Sequence, residues 1–371
     1  MPAKNIFVTQ PNLPDLEKFV SHLEKIWESK YLTNKGIYHQ EFESKLSEFL
    51  GVKYCTLLSN GTLALLIGLK ALKLTGEVIT TPYSFVATSH SILWNNQTPV
   101  FCDIDPANFN IDPDKIEPLI TSETSAILAT HTYGFPCVIE KISDIAAKHN
   151  LKVIYDAAHA FAVEKNGTSI LTSGDLSILS FHSTKVFNTI EGGAIVTNNE
   201  DIKKQADLWR NFGIANEETV LLPGINAKMN ELQSAYGLLQ LEIVEQEIAN
   251  RKAITELYRE KLADISGLKL FYDLPGVKHN YSYFPVLVDA NEFGLSRNEV
   301  YDILRKKNIY ARKYFYPLIS SLPDYKKLPT ASAEHLPVSN KIAGQVLCLP
   351  LFGALDLKDV EQISKILMQM R

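Results

Sequence analysis

The chain has no run of apolar residues approaching the roughly 20 that a helix needs to cross a bilayer. Its first residues, Met1-Pro2-Ala3-Lys4-Asn5-Ile6-Phe7, lack the apolar stretch and small-residue cleavage site of a secretory signal. Cysteine is scarce: Cys55, Cys102, Cys137 and Cys348 lie far apart and form no C-x-x-C pair. That argues against a metal site of the zinc type and against a disulfide framework, and it fits a reducing cytoplasm. The sequons at Asn60 and Asn166 then read as accidental. Neither sign of charge dominates: 37 Lys and Arg stand against 42 Asp and Glu, a net charge of −5. No overall field therefore draws the chain to nucleic acid or to an anionic membrane. Two nucleotide-binding signatures are missing as well. Without G-x-G-x-x-G a nicotinamide dehydrogenase is disfavoured, and without G-x-x-x-x-G-K-[ST] a P-loop hydrolase is too. Internal repeats, low-complexity tracts and flexible linkers are also lacking, so the parts should pack as one body.

What the chain does have is apolar material. Hydrophobic residues make up 46% of its 371 positions, enough for a large core and two or three domains. Between residues 40 and 200, short β-rich runs alternate with amphipathic ones. Strands are expected at Tyr54 to Leu58, Val78 to Thr81, Pro99 to Cys102, Ala126 to Thr130 and Val153 to Tyr155. Helices are expected at 63–72, 86–95, 114–120 and 138–149, with another before the stop at Gly51. Alternation of this kind predicts an α/β fold whose mostly parallel sheet is covered on both faces. Two further strands, Leu176 to Phe181 and Gly193 to Thr197, are joined either as a hairpin or by a crossover. A long helix then starts near Leu232, followed by a strand at Tyr283 to Val288 and helices near 297–306 and from Leu357. The expected division is a large domain over 1–245 and a smaller α+β domain over 246–371.

Four strings carry chemistry. Ser180-Phe181-His182-Ser183-Thr184-Lys185, followed by Glu191-Gly192-Gly193, puts a lysine just after a strand and before glycine-rich chain. Most lysines are solvated surface groups; a Schiff-base lysine must instead be desolvated enough to be neutral and nucleophilic. Tyr155-Asp156-Ala157-Ala158-His159 delivers a carboxylate at the C-terminal end of a strand, where open α/β sheets bind ligands. Asp156 is either a turn cap or the partner of a protonated pyridine nitrogen. His159 is either a hydrogen-bond partner near the ring's phenolic oxygen or simply the start of a helix. Asn60-Gly61-Thr62 opens a helix whose free N–H groups suit a phosphate, with the Ser180 hydroxyl as a complementary donor. Thr81-Pro82-Tyr83-Ser84-Phe85 ends another strand, and Phe85 is the aromatic placed to stack on a planar ring. Phosphate site, stacking ring, carboxylate and late lysine arrive in the order expected of a pyridoxal 5'-phosphate enzyme.

The same strings, with Tyr31 to Gly36 and Met229-Asn230-Glu231-Leu232-Gln233, resemble the DegT–StrS family of sugar aminotransferases over nearly the whole chain. The resemblance implies the aspartate-aminotransferase-like fold (type I) and a cytoplasmic homodimer with shared active sites. Lys185 and Asp156 would be catalytic, with Gly61, Thr62, Phe85, His159 and Ser180 also holding the cofactor. A polar residue of the partner subunit, Asn226 or Lys228, would reach the phosphate. Tyr31 and Thr33 would line the sugar side of the site. In Arg312-Lys313-Tyr314-Phe315-Tyr316-Pro317, the residues Arg312, Tyr314 and Tyr316 would meet the substrate, unless this is only a tyrosine-rich surface loop. Some members carry histidine at the lysine position and act as dehydratases; Lys185 favours transamination. The implied reaction moves nitrogen from L-glutamate, which leaves as 2-oxoglutarate, to a ketone on a nucleotide-linked sugar. The Val8-Thr9-Gln10-Pro11 opening and the Asp156 segment favour dTDP-4-keto-6-deoxyglucose, whose product is dTDP-4-amino-4,6-dideoxyglucose, a surface-polysaccharide precursor. A dTDP-3-keto-sugar 3-aminotransferase and a non-catalytic regulator on the same fold are the alternatives.

Overall fold

A computed structural model describes residues 4–370; Met1–Ala3, the start of the N-terminal segment, lie outside the described residues. Its centre is a seven-stranded sheet. In chain order the strands are β1 (Tyr54–Leu58), β2 (Glu77–Thr80), β3 (Thr98–Phe101), β4 (Thr124–Thr130), β5 (Lys152–Asp156), β6 (Leu176–Ser180) and β7 (Gly193–Thr197). Across the sheet they run β1-β7-β6-β5-β4-β2-β3. The pairs β2·β3, β2·β4, β4·β5 and β5·β6 are parallel, while β7 is antiparallel to both neighbours. Leu176–Ser180 and Gly193–Thr197 are thus joined as a hairpin, with Gly193 opposite Ser180.

Helices cover the sheet: α1 (Leu16–Ser29), α2 (Ile37–Leu50), α3 (Gly61–Ala71), α4 (Val86–Trp94), α5 (Ile139–His149) and α6 (Glu200–Trp209). Helix α3 is apolar nearly all round and lies against β6. A Cβ at Gly68 would stand 2.9 Å from Ile178 Cδ1, so the missing side chain sets how closely the helix approaches the strand. Helix α1 carries no expectation above, although Leu16, Phe19, Val20, Leu23 and Ile26 have helical spacing and the Asp15 carboxylate caps its start. The expected helix at 114–120 is instead two 3₁₀ turns, Pro113–Lys115 and Glu117–Leu119. Pro118 has no N–H to continue the ladder and restricts its predecessor, which breaks the segment in two.

One long helix, α7 (Glu231–Leu262), connects two cores. Its first half packs Leu238 and Val244 with Phe42, Phe181 and Phe187; its second half packs Ile254, Tyr258 and Leu262 with Phe284, Val286 and Leu347. A small antiparallel sheet builds the second core from β8 (Leu268–Lys269), β9 (Phe284–Val288) and β10 (Val346–Leu349). The chain's beginning joins this core too: Ile6 and Phe7 pair in parallel with Ile309 and Tyr310, and Ile6 is buried. Between the cores sits an ion pair on α7. Glu247 Oε1 lies 2.6 Å from Arg251 Nε and accepts the Gly353 N–H at 2.9 Å. Arg251 Nη1 donates to the carbonyls of Tyr281, Ser282 and Leu351. Among the described residues no helix is long and apolar enough to cross a membrane.

Both members of that pair are buried, so removing one strands the other's charge. Arg251→Ala is expected to lower stability by about 3–5 kcal/mol in urea unfolding. A loss under about 1 kcal/mol would mean that water reaches the pair.

Candidate active site

The parallel strands end on one edge of the sheet, and a cavity of about 740 Å³ opens there. Its walls come from the loop after β1 (Asn60, Gly61, Thr62), the loop after β2 (Ser84, Phe85) and the ends of β4, β5 and β6 (Thr130, Asp156, Ser180). Tyr283, Arg312, Tyr314 and Phe315 of the second core complete it. Ligand-binding crevices of open α/β sheets lie at this edge because the loops from successive strands converge there.

At one end, Asn60 caps α3. Its side chain accepts the Leu63 N–H at 2.8 Å and its carbonyl accepts the Ala64 N–H. The N–H groups of Gly61 and Thr62 precede the first intrahelical acceptor and remain available to an anion. Packing at this end is tight. A Cβ at Gly61 would lie 2.8 Å from Ser180 Cβ, and one at Gly193 would lie 2.7 Å from the Asn60 backbone. Glycine at both positions is what brings the helix start, the Ser180 hydroxyl and β7 together in one cradle.

Lys185 lies on the β6–β7 connection, which aromatic packing pins in place. Phe181 and Phe187 are fully buried, and Phe187 stacks on Phe161 at 4.3 Å and 3°. The Phe181 N–H donates to Gly192 O, and the Thr189 N–H donates to Phe181 O. Ile190 then adopts φ 69°, a left-handed conformation costing a branched residue about 1–2 kcal/mol, just before the chain re-enters the sheet at Gly193. The Lys185 amine faces the cavity, and burial brings its pKa down to about 8, against a smaller upward pull from Asp156. Partial exposure of the side chain to the cavity is compatible with this, because the walls around the amine are protein.

Asp156 ends β5 with its carboxylate almost fully buried. Burial pushes its pKa up; the Thr88 hydroxyl on Oδ2 at 2.6 Å, the Ala158 N–H on Oδ1 at 3.1 Å and the Lys185 charge oppose that. His159 is held far below the usual histidine range, first by burial and then by Lys185. Its Nδ1 accepts the Tyr133 N–H at 3.1 Å, so the neutral ring carries its proton on Nε2. Phe85 is 56% exposed and lines the cavity, whereas Tyr83 is buried behind it. The hydroxyls of Tyr83 and Tyr133 both donate to the Tyr314 carbonyl, tying the aromatic loop of the second core to the large sheet.

The cavity thus brings together Gly61, Thr62, Phe85, Asp156, His159, Ser180, Lys185, Arg312 and Tyr314. Tyr316 is not in its wall: the Arg297 guanidinium lies over its ring at 4.9 Å and holds it on the surface. Tyr31 and Thr33 are also absent from the wall. The Tyr31 hydroxyl donates to Asn34 O, and the Leu32 carbonyl is bound by the Glu231 N–H, which keeps this segment on the outer surface. Asn226 and Lys228 flank the outside of the β1 end; Lys228 Nζ donates to Asn211 and Asn226 and stands over the Phe212 ring. Sequence reasoning missed Thr88, Thr130 and Tyr283. The hydroxyls of Ser84 and Thr88, four apart at a helix start, were the available signal for the first; Thr130, at the C-terminal end of an expected strand and paired with Asp156, had the strand-end signal, and Tyr283 had none.

The donor set fits pyridoxal phosphate. A cradle closed by glycine offers N–H groups suited to a phosphate, a carboxylate and an amine border the cavity beyond it, and an uncovered aromatic ring adjoins them. Comparison with known proteins agrees. Residues 15–368 match the model of the DegT/DnrJ/EryC1/StrS aminotransferase family. The chain is 51% identical to the dTDP-4-amino-4,6-dideoxy-D-glucose transaminase of Escherichia coli, over 99% of each. It superposes with a TM-score of 0.94 and 33% identity on DesI, solved in the presence of its TDP-sugar product, covering 99% of this chain and 94% of that one. NtdA of Bacillus subtilis, solved with bound cofactor PMP, gives a TM-score of 0.84 at 29% identity, covering 96% of this chain and 81% of that one.

Because its amine titrates near 8, Lys185 of the protein freed of any ligand should react with trinitrobenzenesulfonate at a rate that is half-maximal near pH 8 and falls as the pH drops. Mass spectrometry of the Lys185 peptide across pH reads this directly; a midpoint near that of an ordinary exposed lysine would show a hydrated amine.

Proposed function

From the premise that the chain belongs to the DegT/DnrJ/EryC1/StrS aminotransferase family, we propose that it uses pyridoxal 5'-phosphate to move an amino group from L-glutamate to dTDP-4-keto-6-deoxyglucose. The product is dTDP-4-amino-4,6-dideoxyglucose. One observation carries the chemistry: the Lys185 amine and the Asp156 carboxylate border one cavity that ends in a glycine-walled anion cradle. The substrate rests on the likeness to the Escherichia coli 4-transaminase across 99% of both chains, which favours position 4 over position 3.

When bound, the cofactor supplies an electrophilic carbon for the amine and a ring that draws electrons from the substrate's reacting carbon. The protein does the rest. The Gly61 and Thr62 N–H groups and the Ser180 hydroxyl bind the phosphate. Asp156 would pair with the pyridine nitrogen and keep a proton there, Phe85 would cover the ring, and the neutral His159 would donate from Nε2 toward the phenolic oxygen. Lys185 would hold the cofactor and, once free, would hold and move a proton at the reacting carbon. A pKa of about 8 suits this work, since neither giving nor taking a proton near neutral pH is then costly. Arg312, a cation at the cavity wall, is placed to meet an anionic group of the substrate, with Tyr314 beneath it at 5.2 Å.

The same reading includes a homodimer with shared sites, in which Asn226 or Lys228 reaches the partner's phosphate. Exposed Phe212, Ile214, Val220, Leu221 and Ile225 surround these two residues, and apolar surface of this kind is what a partner covers. Four free, buried cysteines fit a reducing cytoplasm. A division into large and small domains near residue 245 is supported by α7, where Val244 packs in the first core and Ile254 in the second.

Purified protein incubated with L-glutamate and dTDP-4-keto-6-deoxyglucose should release 2-oxoglutarate, with nitrogen found at C4 by NMR. Lys185→Ala should show no steady-state turnover, and Asp156→Asn should lose about 10²–10⁴-fold in kcat. Nitrogen at C3 would overturn the substrate assignment; sustained turnover by Lys185→Ala would overturn the lysine's role.

A further inference from the structure

A series of hydroxyls runs from the cavity wall, at Thr130 and Ser84, through Thr88 to Asp156. The Thr88 hydroxyl donates to Asp156 Oδ2 at 2.6 Å, Ser84 and Thr88 hydroxyls lie 2.8 Å apart, and the Thr130 hydroxyl donates to Ser84 Oγ at 3.1 Å. All four side chains are buried. They come from different elements: the loop after β2, α4, and the ends of β4 and β5.

Resting on the functional reading above, we infer that the series Thr130–Ser84–Thr88 is a positioning device that orients the Asp156 carboxylate and keeps it ionised toward the cofactor's ring nitrogen. An ionised carboxylate only accepts, so the Thr88 proton must point at Asp156. That proton is then spent, so Ser84 must donate to Thr88, and Thr130 in turn to Ser84. One charge therefore aligns three O–H dipoles, each polarising the next toward the carboxylate. With the Ala158 N–H fixing Oδ1, both oxygens are held and the carboxylate cannot rotate away from the cavity. The charged group acting on Asp156 from across the cavity is Lys185. Burial alone would favour the neutral acid, which cannot hold a pyridine proton; the Thr88 hydroxyl opposes that, followed by the Ala158 N–H and the Lys185 charge. Thr88 matters most because it is not part of the cavity wall, so it reaches a ligand only through Asp156.

Thr88→Val keeps the branched shape and deletes the donor. Pyridoxal phosphate affinity, measured by quenching of protein fluorescence, should weaken about tenfold or more, the size expected for a hydrogen bond to a charged group. The pH titration of the bound cofactor's visible absorbance should shift, and kcat should fall with little change in KM. Thr88→Ser should restore all three, and Ser84→Ala should show a smaller loss of affinity than Thr88→Val. A merely structural threonine would lower the melting temperature and leave affinity and absorbance titration unmoved in the folded variant. That result would overturn the inference while leaving the functional reading intact. Wild-type protein that does not bind pyridoxal phosphate would overturn both. Should Thr88→Val fail to fold, Thr88→Ala, which deletes the same donor outside the cavity wall, decides: reduced affinity in the folded variant supports the series, and unchanged affinity overturns it.

Discussion

Holding an amine and a carboxylate in one largely desolvated cavity is the constraint around which this protein is built. Each group alone would resist burial: burial drives Lys185 toward its neutral form and Asp156 toward its protonated form. The fold meets the two costs differently. Asp156 receives direct donors, a hydroxyl on one oxygen and a backbone N–H on the other, which work against its neutralisation. Among the described residues Lys185 receives no compensating side-chain hydrogen bond, only the attraction of Asp156, and is left with a pKa of about 8. An amine so placed is easily deprotonated, and that is the state in which it reacts.

Rigid surroundings make this arrangement hold. The connection carrying Lys185 is clamped by Phe181 and Phe187 within a cluster of phenylalanines, and its return to the sheet is shaped by Ile190 and the two glycines after it. Gly193 permits β7 to lie against the Asn60–Gly61 backbone, and Gly61 permits that backbone to lie against Ser180. Two absent side chains thus couple the position of the anion cradle to that of the strand hairpin bearing the lysine. A methyl group at either place would push against backbone or against Ser180, neither of which has room to move.

Much of this was legible beforehand because it is local. Strand ends followed by Asp156, by Asn60-Gly61-Thr62 and by Ser180 to Lys185 announce themselves through an apolar run stopping at a polar group. The hairpin joining Ser180 to Gly193 was left open between two forms, since a 12-residue connection can serve either and only the pairing of Gly193 with Ser180 decides. Tyr283 reaches the cavity by tertiary packing alone, whereas Thr130, ending an expected parallel strand beside Asp156, shared that residue's strand-end signal. Tyr316 illustrates the opposite case. Its place in a tyrosine-rich segment suggested the cavity, but Arg297, remote in sequence, draws its ring to the surface. The N-terminal strand is similar: two residues, Ile6 and Phe7, are too few to show a period, yet Ile6 is buried in the second core.

The second core also explains why the cavity needs the whole chain. Tyr83 and Tyr133 stand on the large sheet, yet their hydroxyls meet on the carbonyl of Tyr314 in the other half, and Phe315 packs edge-on to Tyr83. The roof of the cavity is therefore anchored to the floor by polar contacts buried among aromatic rings, where an unpaired hydroxyl would be costly. Elsewhere, the Glu247–Arg251 pair on α7 grips carbonyls and an N–H of the second core. The wall of the cavity, with Phe85 from the large half and Arg312 and Tyr314 from the other, is therefore shaped by contacts that join the two halves.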